Sequence, residues 1–158
     1  MSRAVLSIGS NLGDRLQNLR SVVTGLGTSV IAVSSVYETA PWGLVDQPDF
    51  LNAVVIAVDD TAGPHDWLAR AHEFEATAQR VREVRWGPRT LDVDVIDVDG
   101  LASNDPVLTL PHPRAAERAF VLAPWSEIDD DPRLAELVAA LPAGERDSVR
   151  RRPDLALR

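Results

Sequence analysis

Apolar and polar positions along the chain follow two rhythms. Ala4-Val5-Leu6-Ser7-Ile8-Gly9 is a short apolar run stopped by glycine, which predicts a strand. Leu16, Leu19, Val22, Val23 and Leu26 then recur at helical spacing, with Asp14 in the N-cap position and Gly25 and Gly27 as the stop. Residues 30–37 are rich in β-branched side chains and predict a second strand, and 39–49, with two prolines and a glycine, a long exposed loop. A third strand is expected over 50–58, a second amphipathic helix over 64–78 with Trp67, Leu68, Ala71 and Phe74 inward, and a fourth strand over 90–98.

The order βαββαβ predicts an α+β fold of ferredoxin-like type: a four-stranded antiparallel sheet with both helices on one face and the other face open. Beyond Gly100 the chain is punctuated by Pro106, Pro111 and Pro113, with a short helical stretch over 115–120 and a helix over 134–141. These form a C-terminal helical extension around the edge or ends of the sheet. Arg150-Arg151-Arg152 reads as a solvated basic tail. Residues 1–158 are read as a single domain, since 158 residues with 45% hydrophobic content suit one core.

Composition narrows the chemistry. There is no cysteine, which excludes disulfides, thiolate catalysis and zinc-thiolate sites. The 16 basic residues are all arginine, so a lysine-bearing phosphate loop and Schiff-base mechanisms are excluded as well. A formal net charge of -8 argues against nucleic-acid binding. No apolar run reaches the roughly 18 residues of a membrane span, and the first residues lack a signal-peptide pattern, so a cytoplasmic protein is expected.

The stretch RWGPRTLDVDV combines an arginine-bearing loop with two carboxylates on one strand face. Asp92 and Asp94, two residues apart, point the same way and lie about 6 to 7 Å apart along the strand. Hard oxygen ligands of this kind suit Mg²⁺ that also binds substrate phosphates; the plainer reading is a solvent-facing strand edge. Arg80, Arg82, Arg85 and Arg89 precede them, and guanidinium groups fork onto phosphate oxygens. Ion pairs of these arginines with Glu73, Glu75 and Glu83 at a helix end are the structural alternative.

Four motifs in register carry a resemblance. Gly9-Ser10-Asn11-Leu12-Gly13-Asp14-Arg15, Asp46-Gln47-Pro48-Asp49-Phe50-Leu51-Asn52, Arg85-Trp86-Gly87-Pro88-Arg89-Thr90-Leu91-Asp92-Val93-Asp94 and Leu110-Pro111-His112-Pro113 together resemble the 6-hydroxymethyl-7,8-dihydropterin pyrophosphokinases of the folate pathway, over residues 5–124. The resemblance implies transfer of the β,γ-pyrophosphoryl unit of ATP, the co-substrate, to the pterin hydroxymethyl group, with release of AMP.

It also implies roles. Asp92 and Asp94 match the ligands of two Mg²⁺ ions. Arg80 and Arg82 match catalytic arginines of a mobile loop acting on the ATP phosphates. Glu75, Arg89, Thr109, His112 and Arg118 match nucleotide-side positions. On the pterin side, Asn52 matches the amide that bonds the ring, Phe120 the aromatic that stacks on it, and Trp86 a residue that closes over it; Thr39, Ala40 and Trp42 match a loop reading its edge. Phe50 stands where the family often has tyrosine, and Pro113 where some members carry an aromatic. On pattern alone Phe120 fits ordinary core, Asn52 an edge-strand amide and His112 a loop-packing residue. The implied protein is a monomer acting on small molecules, with no nucleic-acid or membrane partner. A nucleotide-binding regulatory module and a general Mg-NTP hydrolase are the competing readings; a pure sensor has little need of two metal ligands, and a hydrolase leaves Trp86 and Phe120 unexplained.

Overall fold

The structure, a computed structural model, describes residues 2–40, 48–80 and 90–158. β1 (Ser2–Ser10) leads to α1 (Arg15–Leu26), whose N-terminus is capped by Asp14 accepting from the Gln17 backbone N–H at 3.1 Å. Gly27, at φ 56°, ends the helix in a positive-φ conformation that favours glycine. Gly25, expected to help stop α1, lies inside it instead. Its role is close approach: a Cβ there would stand 2.4 Å from Cε1 of Phe74 on the second helix.

The strand predicted over 30–37 is two strands, β2 (Val30–Val33) and β3 (Tyr37–Thr39), both paired to β4 (Phe50–Asp59). Ser34 breaks the ladder by answering both groups of Val54. Its N–H donates to the Val54 carbonyl at 2.9 Å, and its Oγ accepts from the Val54 N–H at 2.9 Å. α2 (Pro64–Arg80) and β5 (Asp92–Val98) follow, then a ribbon of β6 (Ser103–Asn104) and β7 (Thr109–Leu110). A 3₁₀ turn at Ala115–Glu117 enters α3 (Ala119–Ile128), so the helical stretch expected over 115–120 is a turn feeding a longer helix. α4 (Pro132–Ala140), α5 (Ala143–Arg146) and β8 (Val149–Arg151) complete the chain.

Among the described residues the main sheet runs β5-β1-β4-β3-β8, with β2 also on β4 and every pair antiparallel. On one face Ala4, Leu6, Ile8, Val55 and Val95 pack under α1 and α2, with Trp67 fully buried and donating from Nε1 to Ser2 Oγ at 2.8 Å. The second face is not open along its whole length. Val5, Val54, Ile56 and Ile96 are covered there by Val121, Leu122 and Trp125 of α3 and Leu134 of α4. Apolar side chains at one end of that face require cover, and the C-terminal helices supply it. The arginine tail, expected in solvent, forms β8 against β3.

The Gly25–Phe74 contact has a measurable consequence. Overpacking costs about 1 to 3 kcal/mol, against a helix-propensity gain of about 1 kcal/mol for alanine over glycine. Gly25→Ala is therefore expected to lower stability by up to about 2 kcal/mol in denaturant unfolding. Increased stability would show that α1 and α2 have room to separate.

Candidate functional site

Where α3 stops covering the second face, the strands change character. Strand alternation sends Ser7 and Gly9 of β1, Asn52 of β4, and Asp92 and Asp94 of β5 to the face that carries Val5, Val54, Ile56 and Ile96. Asn52, Gly9 and Asp92 stand in one cross-strand row, and Ser7 is opposite Asp94 in the next. With strands about 4.8 Å apart, the amide and the first carboxylate are separated by about 10 Å of sheet. Gly9 keeps the ground between them clear, since a Cβ there would come 2.9 Å from Asn52 Oδ1.

These residues floor a cavity of about 650 Å³. Thr39, Ala40 and Phe50 line one side, and Arg114, Glu117, Arg118 and Phe120 the other. Asn52 is 4% exposed and donates from Nδ2 to Thr39 Oγ1 at 2.8 Å, which orients its amide. Phe120 is half-buried at the start of α3, and the Arg118 guanidinium lies 5.5 Å from its ring centroid, within cation–π range.

A second cavity of about 340 Å³ lies along β5, the edge strand. Leu68, His72 and Glu75 of α2 form one wall, Val93, Asp94 and Val95 the floor, and residues 106–109 with His112 and Pro113 the other wall. Asp94 lines both cavities. Glu75 Oε2 accepts from the Val93 N–H at 3.0 Å, and the His112 N–H donates to the Ile96 carbonyl at 2.8 Å. These bonds hold α2 and the 106–113 segment onto the edge strand. Burial holds the His112 imidazole below its ordinary pKa; the Asp94 charge opposes this, while Arg118 and Arg114 add to it. The ring is therefore neutral at pH 7, and its Nδ1 accepts from the Arg114 N–H at 3.3 Å.

The residues picked out from the sequence thus divide in space. Thr39, Ala40, Phe50, Asn52, Asp92, Asp94 and Phe120 share the larger cavity; Glu75, Thr109, His112 and again Asp94 share the smaller. Arg118, grouped by resemblance with the nucleotide-side residues, lines the larger cavity beside Phe120. Arg80 is the last residue of α2, and its side chain lies outside the described residues, as do Trp42, Arg82, Trp86 and Arg89. Ser7, Arg114 and Glu117 take no site role from the sequence and Gly9 only a place in the first motif, yet all four line the larger cavity. Ser7 and Gly9 were within reach, because they interrupt the apolar alternation of β1 on a single face. Arg114 and Glu117 carry no such signal.

Among the described residues no group of three or more His, Cys, Asp and Glu forms a metal cluster. A pair of carboxylates on one strand face is nevertheless the donor set that Mg²⁺ accepts when phosphate oxygens and water complete its shell. Asp92 and Asp94 fit that requirement.

The sequence profile of "7,8-dihydro-6-hydroxymethylpterin-pyrophosphokinase" matches residues 5–130. A 2-amino-4-hydroxy-6-hydroxymethyldihydropteridine pyrophosphokinase of Mycobacterium tuberculosis is 51% identical over 168 residues, covering 95% of this chain and 89% of the relative. The enzyme of that name in Bacillus subtilis is 42% identical over 129 residues, 79% of this chain and 77% of the relative. Among solved structures, Plasmodium falciparum HPPK-DHPS wild type superposes with a TM-score of 0.62 at 13% identity, over 80% of this chain and 40% of that one. A substituted form of the same protein with pterin and p-hydroxybenzoate reaches 0.66 at 12% identity, over 95% of this chain and 47% of that one. The present chain spans less than half of those bifunctional proteins, and at such identity the likeness speaks for the fold.

Proposed function

The chain belongs to the 7,8-dihydro-6-hydroxymethylpterin-pyrophosphokinase family, and from that premise we propose how its two cavities divide the reaction. The protein transfers the β,γ-pyrophosphoryl group of ATP to the hydroxymethyl group of 6-hydroxymethyl-7,8-dihydropterin, giving the pterin diphosphate and AMP in folate synthesis. One observation carries the assignment of the cavities: they adjoin at Asp94, so ligands in each would meet over the acidic strand. Both volumes fall in or near the range of small-molecule sites.

The larger cavity takes the pterin. Asn52, held by Thr39, hydrogen-bonds the ring edge, Phe120 and Phe50 supply apolar faces, and Ala40 closes the side, with Trp42 added to this group by the resemblance alone. The resemblance gives Trp86 the role of closing over the ring. The smaller cavity takes the nucleotide, with Thr109, His112 and Glu75 on its walls. The acceptor hydroxyl oxygen then attacks the β-phosphorus while the bond from that phosphorus to the oxygen it shares with the α-phosphorus breaks; the hydroxyl proton passes to solvent, and AMP leaves with the bridging oxygen. Negative charge spreads over the transferred group, so positioning and preplaced positive charge accelerate the step more than covalent catalysis could. The resemblance assigns such charge to Arg80, Arg82 and Arg89, and Arg118 adds its own from the wall of the larger cavity.

Asp92 and Asp94 would hold two Mg²⁺ ions between the cavities. When bound, these ions supply positive charge to the phosphate oxygens and make the acceptor hydroxyl more acidic. The protein acts as a cytoplasmic monomer on small molecules. In support, the large apolar side chains left exposed among the described residues are Ile31 on β2 and Leu101 and Val107 around the β6–β7 ribbon, and no described helix is long and apolar enough to cross a membrane.

Incubation with ATP, Mg²⁺ and the hydroxymethyl-dihydropterin is expected to release AMP in step with pterin diphosphate, read by product mass. ADP accompanied by a pterin monophosphate would overturn the reaction.

A further inference from the structure

Glu38 stands on β3 one residue before Thr39, and at 8% exposure it is a buried carboxylate outside both cavities. It pairs in register with Leu51, whose side chain belongs to the core under α1 and α2, while the neighbouring Thr39 pairs with Phe50 at the pterin cavity. Glu38 therefore addresses the back of the strand whose front carries Thr39.

Three arginines converge on it. Arg15 Nη1 donates to Oε2 at 3.0 Å, Arg152 Nη1 to Oε1 at 3.1 Å, and Arg150 Nη2 also to Oε1. Burial by itself would raise the pKa of this carboxyl, but the bonds from Arg15 and Arg150 and the Arg152 charge outweigh it and hold the group below its ordinary range. Arg15 has a second bond, to the Asp49 carbonyl at 2.8 Å. Asp49 precedes Phe50, so Arg15 ties the chain just before residue 40 to the chain just before β4, the two stems of the pterin-side loop. Asn11 adds a bond from Nδ2 to the Pro48 carbonyl at 3.4 Å. The other two arginines belong to the C-terminal segment: Arg150 lies opposite Glu38 in the β3–β8 ladder, and the Arg152 N–H donates to the Val36 carbonyl at 2.8 Å. All of this segment lies beyond residues 5–130, which the family profile spans.

We propose that Glu38 is a positioning residue for the pterin half of the site, clamped from one side by Arg15 and from the other by the C-terminal strand, so that the tail sets the placement of Thr39 and, through it, of Asn52. The inference rests on the larger cavity being the pterin site. A clamp on a loop stem acts on the ligand beside that loop, and the nucleotide cavity, built on α2, β5 and residues 106–113, lies outside its reach.

The test uses the full chain. Binding of the hydroxymethyl-dihydropterin is titrated calorimetrically in the presence of a non-hydrolysable ATP analogue and Mg²⁺, and binding of the analogue is titrated alone. For Glu38→Gln, pterin affinity is expected to fall on the order of tenfold, with analogue affinity kept within about twofold. Arg150→Gln, which removes a mostly exposed arm and spares the fold, is expected to shift pterin affinity in the same direction by about threefold, and it decides the matter should Glu38→Gln fail to fold. Unchanged pterin affinity in the folded variants, or an equal loss for both ligands, overturns the proposal. A parent protein that binds the analogue but no pterin overturns the reading of the cavity, and the inference with it.

Discussion

Asp94→Asn is expected to reduce the single-turnover rate of pyrophosphoryl transfer by at least about a thousandfold, which corresponds to about 4 kcal/mol of barrier. Asp94 lines both cavities, the position at which the proposed function would bring donor and acceptor together. Asparagine keeps its shape and removes the charge that, in the proposed reading, would hold a cation. Asp92→Asn, one row along β5, is expected to act in the same direction. Stability should stay within about 0.5 kcal/mol of the parent for Asp94→Asn, because the side chain is half-exposed on the cavity floor and not packed in the core. Rapid-quench measurement of AMP at saturating substrates, beside a thermal melt, separates the two effects. Rates within tenfold of the parent for both variants would remove the strand carboxylates from the chemistry.

The second large effect belongs to Asn52. Asn52→Ala is expected to lower kcat/KM for the pterin by about a hundredfold, near 2.7 kcal/mol, while the affinity for ATP is unchanged. A site built to hydrogen-bond its substrate discriminates strongly when one of its polar groups is removed. The variant also leaves Thr39 Oγ1 without its amide partner. Gly9→Ala offers an independent check, because its new methyl would press on Asn52 Oδ1 at 2.9 Å and turn the amide without deleting it. It should raise KM for the pterin and leave the ATP titration alone. If Asn52→Ala weakened both substrates equally, the amide would be a structural tie between β3 and β4 and no reader of the ring.

How much of this is written in the linear chain differs from one part to another. Local periodicity determined the succession of strands and helices up to β5, apart from the break at Ser34 that divides the second expected strand into β2 and β3, together with the Asp14 cap and the strand face shared by Asp92 and Asp94, because each depends on residues a few positions apart. The four motifs in register determined the family. Periodicity says which side chains share a face; it does not say what covers that face. Only the tertiary structure decided that α3 and α4 close one half of the second sheet face and leave the other half as a cavity. Only packing placed Gly25 against Phe74, inside a helix it seemed to end. Arg118 sits beside Phe120 because a 3₁₀ turn re-aims the chain before α3, a change of direction without a repeating pattern to announce it. The arginine tail is the furthest from local rules. Its composition suggested solvent, but Arg150 meets Glu38 across 112 residues of sequence. A buried carboxylate needs compensating charge, and the residue that supplies it is chosen by the folding of the whole chain.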